Sequence, residues 1–81
     1  MFSSLRRIGK VLHVSNSRSL ILKMEKQVNV GSKVLDSRLK EVGRVYDMFG
    51  PVASPYISVR PTVADPSSLV GKVLYVADDS D

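Results

Sequence analysis

No run in this chain keeps helical periodicity long enough to form a stable helix, and that constrains its fold more than any other feature. Met24–Val30 holds helix formers, but the segment is short and β-branched residues close it. Only Ser67–Val70, just after Pro66, suggests a single helical turn. What remains reads as six short strands: Ile8–Val14, Leu20–Met24, Lys33–Asp36, Glu41–Phe49, Tyr56–Arg60 and Lys72–Val76. Turn signals separate them. Ser15–Arg18 is a polar turn in which Asn16 is suited to positive φ, Asn29-Val30-Gly31 is another, and Gly50–Pro55 is a loop. Pro61–Leu69 is a looser connection. The chain is all-β, a small barrel or sandwich, and closure removes strand edges that 81 residues can hardly protect otherwise.

At this length there is room for one domain, with marginal stability and no cysteine to staple it. Residues 1–76 are read as the β-domain and residues 77–81 as an acidic, flexible tail. The N-terminal residues lack the apolar stretch of a signal peptide, and the longest apolar runs are far short of a membrane helix. A soluble, cytoplasmic protein is expected.

A short motif occurs three times: Gly9-Lys10-Val11-Leu12, Gly43-Arg44-Val45-Tyr46 and Gly71-Lys72-Val73-Leu74. The intervals are unequal and nothing between them repeats, so this is no solenoid. Three strands starting under the same constraint explain it better: a glycine permits a bulge or close backbone approach, and a basic side chain then points to solvent.

Charge is uneven. Residues 1–76 hold all 12 basic residues and 5 of the 8 acidic ones, a net of +7, while Asp78, Asp79 and Asp81 crowd the end. A basic body suits nucleic acid or an acidic protein surface, and equally a plain solvated exterior. Lys10, Lys23, Arg44, Arg60 and Lys72 are the candidates for an RNA-facing surface.

Apolar residues exceed what a narrow barrel can hold. Leu20, Leu22 and Met24 share one face of their strand, with Ile21 on the other. Val42, Tyr46 and Met48 alternate against Val45 and Phe49, and all five cannot point inward. Something apolar stays outside, as in a binding patch. Phe49 stands directly before the turn signal Gly50-Pro51, where the backbone bends and a ring is displayed.

Sites for chemistry are missing from the pattern. One histidine, His13, and no cysteine exclude the usual zinc constellations. Asp36 and Asp47 read as strand-end or turn-capping residues. There is no phosphate-binding glycine loop, nucleophile elbow or metalloprotease motif. A non-enzyme without cofactors is expected. Single-strand RNA binders interleave cations with stacking aromatics. Here Tyr46, Phe49 and Tyr56 are mixed with Pro51 and Pro55, a composition closer to a protein-contact surface.

The run Val42-Gly43-Arg44-Val45-Tyr46-Asp47-Met48-Phe49-Gly50-Pro51-Val52, followed by Ser54-Pro55-Tyr56-Ile57-Ser58-Val59, resembles the core of the GAR subunit of H/ACA ribonucleoproteins. Ile8–Val14 resembles the opening strand of that family and Val30–Asp36 its Gly-x-x-Val-x-Asp strand. The resemblance covers about residues 8–60. It implies a six-stranded closed barrel of the translation-factor type and a non-catalytic subunit of the RNA-guided pseudouridine synthase complex. Such a subunit docks on the catalytic domain of the synthase, meets guide and substrate RNA through the complex, and promotes turnover by influencing a mobile loop. The absence of glycine/arginine-rich tails resembles the archaeal form, and the shortness argues against the related assembly factor. Carried over residue by residue, the partner-binding set is Val45, Tyr46, Met48, Phe49, Gly50, Pro51, Val52, Pro55 and Tyr56, with Phe49 as anchor. Val45 and Tyr46 have the alternative of filling the barrel. Lys10, Arg44, Arg60 and Lys72 remain the RNA-facing candidates. Without a partner, an uncovered patch implies weak self-association.

Overall fold

Six strands close into an antiparallel barrel in the order β1-β2-β5-β4-β3-β6. They are β1 (Ser4–Val14), β2 (Leu20–Lys23), β3 (Lys33–Leu35), β4 (Glu41–Phe49), β5 (Tyr56–Pro61) and β6 (Val73–Asp78). The computed structural model describes residues 4–78. The expected strands are all present. β1 begins four residues earlier than the pattern suggested, and β6 runs through Ala77 and Asp78, paired with Leu5 and Ser4, past the Val76 boundary read from the sequence. Asp79–Asp81, the rest of the expected tail, lie outside the described residues. Pro66–Leu69 forms one turn of 3₁₀ helix, starting at the proline whose fixed φ suits a first helical position.

The core is wholly aliphatic: Ile8, Val11, Leu20, Leu22, Val28, Val34, Val42, Val45, Ile57, Val59, Leu69, Leu74 and Val76. Fully burying such a side chain contributes roughly 1.5–3 kcal/mol. Two core members come from connections and plug the barrel ends. The β2–β3 connection brings in Val28; it is held back over β1 by the Glu25 amide donating to the Ile8 carbonyl and by the Arg7–Glu25 ion pair. The β5–β6 connection brings in Leu69, with Val63 packed alongside.

Four bulges break the strand alternation. In β1 the extra residues are Ile8 against β6 and Leu12 against β2; in β4 they are Val42 against β3 and Tyr46 against β5. Each lets a strand keep pairing while it re-aims one side chain. The repeated Gly-basic-Val motif has two causes, not one. A Cβ on Gly9 would run into the Lys23 carbonyl oxygen and one on Gly43 into that of Arg60, so both permit close strand approach. Gly71 has open space and instead forms a turn before β6. In the Ser15–Ser19 turn the positive φ falls on Arg18 (67°), not on Asn16. The Ser15 hydroxyl accepts the Ser19 amide there.

Candidate functional site

The β4–β5 hairpin is where the sequence placed its partner-binding residues, and the bulge at Tyr46 decides which of them face out. Val45 pairs with Val59, but Asp47 pairs with Ser58, so Tyr46 is the extra residue. Val45 therefore points inward and is 2% exposed, a core residue rather than a contact residue. Met48 likewise turns inward and packs on the core. Val45 is thereby corrected, whereas Met48 remains half-buried on the hairpin. Tyr46 and Phe49 take the outer face, 56% and 45% exposed.

Phe49 and Tyr56 form the last cross-strand pair before the loop, and their rings stack with centroids 5.7 Å apart and planes at 24°. Gly50 follows at φ +96°, and a Cβ there would lie 3.0 Å from the Tyr56 ring. Only glycine permits both the left-handed backbone and the ring beside it. Pro51, Val52 and Ala53 form the exposed tip, with Val52 wholly exposed. The tip is held from both sides: the Ser54 amide donates to the Pro51 carbonyl at 3.0 Å, and the Met24 amide to that of Pro55 at 2.9 Å. Pro55 and Tyr56 are half-buried at its base. At the other margin the Arg60 guanidinium lies 4.3 Å from the Tyr46 ring centroid. Such a contact fixes a ring that would otherwise be mobile.

Tyr46, Phe49, Gly50, Pro51, Val52, Pro55 and Tyr56 are thus brought onto one hairpin. No aromatic side chain among the described residues enters the core. The rings lie at or near the surface of a barrel that packs without them. Val30, 59% exposed in the turn that bonds to β4, is a further exposed apolar residue that the sequence reading passed over. Its neighbour Gly31 donates to the Val45 carbonyl and accepts from Arg44. The available signal was a β-branched residue between Asn29 and Gly31, where a turn ordinarily takes a polar one.

The basic candidates do not form one face. Lys10 lies on β1 opposite Val73, with Lys72 just before β6, whereas Arg44 and Arg60 are paired across β4 and β5. In the closed ring the β1–β6 and β4–β5 pairs are opposite each other. Each flank therefore carries two of the four cations. Asp36 and Asp47 act as expected, as local caps: Asp36 Oδ1 accepts the Arg38 and Lys40 amides at 2.9 and 3.0 Å, and Asp47 Oδ1 accepts the Met48 amide at 2.8 Å.

Among the described residues no group of three histidine or carboxylate side chains gathers to hold a metal ion, and no helix is long and apolar enough to cross a membrane. An open groove of about 600 Å³ lies at the other end of the barrel, between the Asp36–Lys40 turn and the 3₁₀ helix.

No model of a known protein family matches the chain. It is 37% identical over 76 residues to an uncharacterized protein of Methanothermobacter thermautotrophicus, covering 89% of this chain and 83% of that one. It is 38% identical over 56 residues to an uncharacterized protein of Methanocaldococcus jannaschii, covering 69% and 68%.

Proposed function

Given that the chain belongs to one family with these short archaeal proteins, we propose that it is a non-catalytic docking subunit of an H/ACA RNA-guided pseudouridine synthase, similar to the GAR subunit. The observation that carries the reading is the hairpin 49–56: a stacked aromatic pair and a fully exposed valine held on a rigid, glycine-dependent turn, outside a core made of aliphatic residues alone. Burying exposed rings against a partner is the main source of energy at protein interfaces. The Phe-Gly-Pro-Val and Pro-Tyr-x-Ser-Val runs that carry the resemblance are the two arms of this hairpin and its tip. The subunit works in the cytoplasm and meets guide and substrate RNA through the assembled complex. It contributes no reacting group; its effect on turnover comes from what it touches on the synthase.

The test is a calorimetric titration of an archaeal synthase catalytic subunit with this chain, before and after nuclease treatment. Binding that persists without RNA and weakens in Phe49→Ala supports the proposal. Association seen only with RNA present overturns it, and the cationic flanks then become the contact.

A further inference from the structure

The groove at the opposite end of the barrel is built from different elements and lies far from the aromatic hairpin. β4 runs between them, a span of roughly 25 Å at the usual rise per residue. Its floor is apolar: Val42, Val63, Leu69 and Val73 line it. Its rim is cationic, with Arg38 and Lys40 on the β3–β4 turn and Lys72 just before β6. Two carboxylates, Asp36 and Asp65, also line it and leave the lining with a net charge of +1; both are engaged locally. Asp36 receives the amides of its own turn, and Asp65 Oδ1 accepts the Ser67 hydroxyl at 2.6 Å. None of the three cations forms an ion pair among the described residues. Leu39, between Arg38 and Lys40, sits at φ +68°, so the turn is held in an unusual conformation that presents cations on both sides of its tip.

We propose that this groove seats an extended acidic segment of a protein partner, with aliphatic side chains down on Val63 and Leu69 and carboxylates up against Arg38, Lys40 and Lys72. Charge complementarity selects the acidic ligand, and the apolar floor selects a peptide over a nucleic acid. A single strand of RNA needs rings to stack on, and no aromatic residue lines the groove. A volume of about 600 Å³ takes a few residues of extended chain. The barrel is closed, so the segment gains no strand pairing and is held by side chains alone.

The site is separate from the docking hairpin, and the two fail independently. The experiment is an amide chemical-shift titration of the full chain with a short synthetic peptide alternating aspartate and leucine, with polyuridylate as comparison. Saturable shifts at Val42, Val63 and Leu69, reversed by salt, support the groove. The triple variant Arg38→Ala, Lys40→Ala, Lys72→Ala replaces exposed side chains and keeps the fold; it should weaken the peptide by about tenfold or more. Four results overturn the proposal: no saturable binding, shifts at Phe49–Tyr56 instead, polyuridylate displacing the peptide from the groove, or the same shifts on concentrating the protein alone. The last would identify the acidic end of a second copy as the occupant.

Discussion

Replacing Phe49 with alanine removes a ring that is nearly half exposed and touches the fold mainly through Tyr56. The lost stacking is worth about 0.5–1.5 kcal/mol, so thermal denaturation should shift by roughly 2–12 °C. Binding to the synthase should weaken by about 2 kcal/mol or more, roughly thirtyfold, in the same titration. Gly43→Ala is the converse. Its added methyl meets the Arg60 backbone and the Val59 side chain, in a contact between paired strands that has no room to relax. It should cost about 1–3 kcal/mol of stability, read as a lowered midpoint in urea, and leave the affinity of the folded fraction unchanged. The two substitutions separate display from construction at positions six residues apart in one strand.

At the scale of elements, the hairpin loop contributes little to the barrel and most to its exterior. Replacing Gly50–Pro55 with Asn-Gly, a pair that closes a two-residue hairpin, should preserve the far-ultraviolet dichroism and keep the melting midpoint within about 10 °C. Synthase affinity should fall by about tenfold or more. The strands also show why some of the fold was legible and some was not. β2 pairs with β5 without a shift, and its inward face reads correctly: Leu20 and Leu22 are fully buried and Met24 packs on the core, although Ile21 on the other face is buried as well. β4 carries two bulges, so its inward residues, Val42, Val45 and Met48, recur every three positions, and no strict alternation finds them. The excess of apolar residues was therefore visible while its division was not. A bulge depends on what the neighbouring strand does, and that information lies in β3 and β5. The groove was illegible for a similar reason: its walls come from three segments that only ring closure brings together.

Across the whole molecule, the division of cations between opposite flanks limits what the protein can do with RNA alone. A single strand following one flank meets about two of them, so its affinity should remain at the generic level of about 10⁻⁴–10⁻⁶ M, with a log–log salt slope of about −1 to −2. A filter-binding series in salt checks this, and a slope of about −3 would show all four acting together. Without its partner the exposed hairpin should drive weak, concentration-dependent dimerisation in sedimentation, reduced by Val52→Ser. The ring itself carries one more consequence. β1 is flanked by β2 on one side and by β6, from the far end of the chain, on the other. A ribosome delivers β1 before β6, so Ile8 and Val11 wait with one side uncovered until β6 follows. Closure waits for β6, and a nascent chain stalled before Val73 should be an open, protease-sensitive sheet.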